Sequence, residues 1–204
     1  MYELLVSLLT FNPSNFTFYG VTLNNSVVYS GTTLPITGFG MGGKKTGPTV
    51  TKVAVNQLFT QYPDRFVRTE NGALDSLSDV GLITMSITFL RGVDSDSVES
   101  SIAGTVSSNM TRQEALDYHE DIDQVADAIR TDSAIYSGQT VNVIANVSTG
   151  LLLYMNSSGK ITPINSRNGF VKKVFSAWFG NATDQASYNL KMALLNKPEL
   201  KTVK

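Results

Sequence analysis

The segment Thr84-Met85-Ser86-Ile87-Thr88-Phe89 alternates strictly between polar and apolar residues. Successive side chains of a strand point to opposite faces, so Met85, Ile87 and Phe89 share one face and Thr84, Ser86 and Thr88 the other. Such alternation suits an antiparallel sheet with two unlike faces. On the N-terminal side, Phe16–Leu23, Val27–Tyr29, Leu34–Thr37 and Val50–Phe59 read as further strands, with turns at Asn24-Asn25 and Ser30-Gly31. Val53, Val55 and Phe59 fall on one face of the last of these. Met1–Thr10 also reads as a strand rather than a signal peptide, because no basic region precedes it and no small-residue cleavage pattern follows. The stretch 61–79 is a polar connection with a short helix near Ala73–Leu77.

Beyond Phe89 the period changes. Val98, Ile102 and Val106 form one helical stripe, and Tyr118, Ile122, Val125, Ala126 and Ile129 a second. Gly104 and the Asn109 region divide the two. Thr111-Arg112-Gln113-Glu114 has the spacing of a capping box, so a helix should start there. Val141–Val147, Leu151–Met155 and Lys160–Ile164 then form a three-strand meander. Two helices close the chain: one carries Val171, Val174, Phe175 and Trp178, stopping at Gly180, and the other starts at Thr183-Asp184. Strands first, then helices, then a meander and helices indicate an α+β fold: a large antiparallel β-sheet packed by a layer of helices.

Composition excludes several function classes. The chain has 204 residues, and its 16 basic and 17 acidic residues leave a net charge of −1, with no basic face for nucleic acid. No apolar run reaches the ~20 residues of a membrane span. There is no cysteine and a single histidine, His119, so thiolate chemistry, disulfides and Cys- or multi-His metal sites are out. The reading calls for no metal and no cofactor, and for a soluble, cytoplasmic protein. A lone histidine without a nucleophile motif makes no Ser-His-Asp triad.

Three clusters invite chemistry. Gly38-Phe39-Gly40-Met41-Gly42-Gly43 matches G-x-G-x-x-G, but a strand follows it where a dinucleotide site needs a helix. The simpler reading is a glycine-rich strand turn that needs positive φ or close backbone approach. Asp117, His119, Glu120, Asp121 and Asp123 read as the solvated face of a helix. Lys44, Lys45 and Lys52 form a small basic cluster that can attract a carboxylate or phenolate.

Several strings together resemble the chalcone isomerase-like superfamily over about residues 33–196. They are Leu34–Gly43 followed by Thr51–Phe59, then Ile83–Leu90 with Arg91-Gly92-Val93, then Phe170–Gly180 with Asp184–Leu195. The resemblance implies an open-faced sandwich with a cleft between sheet and helices. It also implies one domain over 1–204, with 1–30 an N-terminal strand extension and 197–204 a tail. Plant members isomerise chalcones by intramolecular oxa-Michael addition; others resemble fatty-acid-binding proteins or are non-catalytic helpers. Carried over residue by residue, the family arginine falls on Gly42 and the threonine of the next strand on Ala54. The tyrosine before the first long helix falls on Asp94, the helix asparagine on Ser101, and the late Ser/Thr on Val171.

A glycine offers no cation to a developing enolate, and no fork for a carboxylate. The sequence therefore reads as a non-plant, non-catalytic member that holds a small apolar or fatty-acid-like ligand, with Gly42, Lys44, Lys45 and Lys52 as candidate contacts. Another arginine reaching the same cleft would undo the case for an inert scaffold. Two alternatives stand beside this reading. One is an intramolecular lyase or isomerase on an α,β-unsaturated carbonyl, with lysine in place of the arginine. The other is an interaction protein whose cleft is filled by side chains such as Phe175 and Trp178.

Overall fold

A computed structural model describes residues 9–46 and 49–198, with the side chains of residues 45 and 46 excepted; the strand expected over Met1–Thr10 lies mostly outside them. Eight strands form one antiparallel sheet in the order β1-β2-β3-β4-β5-β8-β9-β10. They are β1 (Thr10–Phe18), β2 (Val21–Tyr29), β3 (Thr32–Thr46), β4 (Thr49–Thr60), β5 (Ile83–Phe89), β8 (Thr140–Asn146), β9 (Leu151–Met155) and β10 (Ile161–Pro163). Between β5 and β8 the chain leaves the sheet. A two-residue pairing of β6 (Val93–Asp94) with β7 (Ala134–Ile135) closes the base of that excursion. The helices are α1 (Ala73–Ser76), α2 (Ser95–Ser108), α3 (Arg112–Asp117), α4 (His119–Ile129), α5 (Phe170–Phe179) and α6 (Gln185–Leu195).

The alternation of β5 sorts its side chains as expected. Met85, Ile87 and Phe89 join Phe170, Phe175, Trp178 and Phe179 in the core beneath the helices. The polar residues are not in water, however, because all of β5 is buried. On their face Val27, Leu34, Phe59, Ile144 and Leu153 form a second core that, among the described residues, contains no helical residue. Its described members come from strands and the turns beside them, as the sheet curls over this face. Inside that curl Ser86 pairs with Asn142, and the Thr84, Ser86 and Asn142 side chains are buried without hydrogen-bond partners.

The glycine string lies within β3, and its glycines have no positive φ. Close approach is its reason. A Cβ on Gly38 would lie 2.1 Å from the carbonyl oxygen of Leu194, and one on Gly40 would lie 2.8 Å from the Ala193 Cβ. Gly38, Gly40 and Gly42 alternate along β3, and α6 lies directly on this bare backbone. Lys191 of α6, buried, donates from Nζ to the Gly180 carbonyl at 3.0 Å and so ties α6 to the end of α5.

Four expectations need correction. The first turn falls at Tyr19-Gly20, whose φ angles are 50° and 80°, and β2 runs straight through Asn24-Asn25. Asn24 pairs with Pro13, which has no N–H and sits at a register shift; Asn24 donates instead to Gln57 Oε1 at 2.8 Å. A register shift near Gly42-Gly43 also separates Val53 from Val55 and Phe59: Val53 packs against the helical core, whereas Phe59 belongs to the other. Gly104 does not divide helices but lies inside α2; instead the next helix breaks into α3 and α4 at Tyr118. There the Tyr118 ring packs on Phe170, and its hydroxyl donates to the Asn168 carbonyl. Asp121, finally, is buried rather than solvated, and accepts from the Arg167 backbone N–H at 3.1 Å and Nε at 2.8 Å.

Two alanine substitutions should move stability in opposite directions. Gly38→Ala forces α6 off the sheet and costs at least ~2 kcal/mol. Gly104→Ala meets open space and removes a helix-interior glycine, stabilising by about 1 kcal/mol. Urea denaturation of the two variants measures both changes.

Candidate functional site

Between the sheet and the helices lies an open cleft of about 1050 Å3. β3, β4 and β5 form its floor, α2 one wall, and α5 with α6 the other. The floor and the α5–α6 wall are mainly apolar, with Val53, Ala54, Ile87, Phe89, Ala177 and Leu190. The α2 wall is mostly polar, with Ser97, Ser100, Ser101 and Thr105 beside Val98 and Ile102. Ile87, Val98, Ile102 and Trp178 also border a narrow apolar void deeper in the core. Tyr154 borders that void; its hydroxyl is buried without a partner. Burial, with Asp132 nearby, pushes the Tyr154 phenol well above its ordinary range.

Asn56 stands in the floor, 4% exposed. Its Oδ1 accepts from the Trp178 indole N–H at 3.1 Å. An indole nitrogen only donates, which fixes the amide: oxygen toward Trp178, nitrogen away from it. The Asn56 Nδ2 is 2.9 Å from where a Gly42 Cβ would be. Glycine at 42 thus has a local cause, because any side chain there displaces the Asn56 amide.

The mouth is charged. Lys44 and Arg91 line it, both exposed, and neither makes a hydrogen bond or ion pair among the described residues. Three carboxylates line it too, each with a structural partner. Asp94 caps α2 by accepting from the Ser97 N–H at 2.7 Å, and Asp184 caps α6 by accepting from the Ser187 N–H at 2.7 Å. Asp96 lies 3.7 Å from the Arg130 guanidinium.

Of the positions singled out from sequence, Gly42, Lys44, Ala54, Asp94 and Ser101 all meet at this cleft. Lys52 does not: its Nζ sits 4.2 Å above the Tyr19 ring, against the β1–β2 turn. The Lys45 side chain lies outside the described residues. Val171 is buried in the core under the helices instead of lining the cleft; Ala177 and Trp178 are the α5 residues that reach it. Phe175 is likewise in the core and Trp178 stands in the wall, so neither fills the cleft.

Sequence reasoning missed Arg91 and Asn56 as cleft residues. Arg91 was visible at the end of the strand string before α2, and it is the other arginine in the cleft that the reading at Gly42 had set as its condition. The cleft therefore does hold a guanidinium, carried from the end of β5 rather than from β3. Asn56 was visible as a polar residue flanked by Ala54 and Leu58 on one strand face.

The bonds to Asp94 have a pH signature. The Ser97 hydroxyl, then the Ser97 N–H, hold its carboxyl below the ordinary range. A depressed folded value means stability that is present above the unfolded pKa and lost as pH falls through the folded one. Thermal melts between pH 7 and pH 3 should therefore show a shallower acid limb for Asp94→Asn, which keeps the acceptor but cannot titrate.

Comparison with known proteins agrees with this architecture. The profile described as chalcone isomerase-like matches residues 15–196, starting N-terminal to the strings quoted above. No match was found among curated proteins. Among solved structures, a fatty-acid binding protein of Arabidopsis thaliana is similar with a TM-score of 0.65 and 14% identity, over 87% of this chain and 92% of that one. At such identity the likeness speaks for the fold alone.

Proposed function

We propose that this chain, which belongs to the chalcone isomerase-like family, is a non-catalytic binding protein. It holds a small apolar or fatty-acid-like molecule between its sheet and its helices. One observation carries the reading: the cleft of about 1050 Å3 stays open over an apolar floor, where side chains filling it would have left an interaction protein. The similar solved structure supports it, being that of a fatty-acid binding protein. The proposal takes the protein to be soluble and cytoplasmic; no helix among the described residues is long and apolar enough to cross a membrane.

Lys44 and Arg91 stand at the mouth, where a ligand carboxylate meets solvent. Because both are exposed, their attraction is modest and salt-sensitive. The four other carried-over positions, Ala54, Asp94, Ser101 and Val171, do not restore the side chains that the resemblance implies for ring closure. Arg91 meets the condition set against an inert scaffold, and the isomerase alternative keeps that support. The reading stays non-catalytic because Arg91 is exposed, and a solvent-screened guanidinium stabilises a developing oxyanion far less than one in a dry site.

The chain contains one tryptophan, Trp178, and it forms part of the cleft wall, so its emission reports occupancy directly. Oleate should change that emission saturably, and native mass spectrometry should show one bound acid. Gly104→Phe, at a cleft-lining position with open space around the Cα, should weaken oleate binding while the fold persists. Lys44→Ala with Arg91→Ala should weaken it about two- to fivefold, less at high salt. Unchanged emission with every long-chain acid and with their neutral esters and alkanes overturns the reading. Ring closure of a chalcone, followed by absorbance and lost in Arg91→Ala, replaces it with the isomerase.

A further inference from the structure

Asn56 is a polar group of the cleft floor whose orientation is set from behind, by Trp178. Its oxygen is committed to the Trp178 indole. Its nitrogen makes no hydrogen bond among the described residues and lies on the Gly42 side, and both residues line the cleft. The residue is only 4% exposed, and this nitrogen is the part of it that reaches the cleft, a donor open to water or to an oxygen of an occupant. Where the resemblance implies a guanidinium, this chain has a bare Cα and, pressed against it, a neutral N–H donor.

Charge at the mouth points the same way. Lys44 and Arg91 share the opening with Asp94 and Asp184, and Asp96 there is paired with Arg130, so the two cations are balanced and no net positive charge draws an anion inward. Nothing in the floor adds a cation, since Lys52 is held over Tyr19. An ionised group deep in the cleft would lose its water for a single amide, whereas an uncharged carbonyl loses little and gains a donor.

Resting on the binding reading above, we propose that Asn56 is a ligand-binding residue. Its amide N–H donates to an uncharged oxygen of the occupant, an ester, ketone or similar carbonyl, beside Gly42. The occupant is then an apolar molecule carrying a neutral carbonyl, and Trp178 is the positioning residue that aims the amide.

Three probes of similar length test this: methyl decanoate, undecane and decanoate. With the unaltered protein, methyl decanoate should bind more tightly than undecane. Its carbonyl stretch should move to lower frequency, and the Asn56 side-chain amide resonances should shift. Asn56→Asp keeps the acceptor for Trp178 and removes the donor. It should weaken methyl decanoate about fivefold, abolish the carbonyl shift, and leave undecane unaffected.

If Asn56→Asp does not fold, the infrared and amide readouts on the unaltered protein decide alone. Ester and undecane binding equally, or Asn56 resonances that stay in place with ester bound, overturn the role of Asn56 and leave the binding reading intact. Decanoate binding best, with Asn56 unmoved, does the same. Failure of all three probes to bind overturns both.

Discussion

Helix α6 rests on a strand that has no side chains to hold it off. Gly38, Gly40 and Gly42 present bare backbone, and the Leu194 carbonyl and Ala193 Cβ come down onto it. This contact fixes the height of α6 above the sheet. Lys191 then ties α6 to the carbonyl that ends α5, so α5 and α6 form one firmly seated wall. Helix α2 is attached differently, by Val98 and Ile102 against the core, by Asn109 bonds to the Asn181 backbone, and by Arg130 ion pairs near its start. The cleft is the gap between a wall set by backbone contact and a wall set by side chains.

Much of this was legible wherever the signal was local. The alternation of β5, the capping box at Thr111, the meander of β8 to β10 and the Asp184 cap are each decided within a few residues. Two of the departures depend on partners distant in the chain. Asn24-Asn25 reads as a turn until Gln57, 33 residues on, takes the Asn24 N–H. Asp121 reads as a solvated acid until Arg167, 46 residues on, closes over it. Period-two spacing placed Thr84, Ser86 and Thr88 on their own face but said nothing of what covers that face, because curl is a property of the whole sheet.

The site followed the same rule. Gly42 was identified as the position where a cation is missing, and the absence was real at that residue. Its cause, the Asn56 amide held by Trp178, was out of reach of a reading along the chain, since the pair spans 122 residues. Arg91 carries its charge into the cleft from another strand end. Counting side chains at family positions registers the loss at 42 and misses the gain at 91, although both belong to one space. Lys52, near Gly42 in sequence, points elsewhere because it stacks on Tyr19.

The two walls also differ in wetness. Ser97, Ser100, Ser101 and Thr105 keep hydration along α2, while Val53, Ile87, Phe89 and Leu190 offer a dry surface opposite. A guest lying in this space sheds water on one flank and keeps it on the other. Since the heat-capacity change of association follows the apolar area removed from water, its magnitude here reflects about half of the guest's outline, and the retained solvent layer lets molecules of unequal girth share the same dry flank.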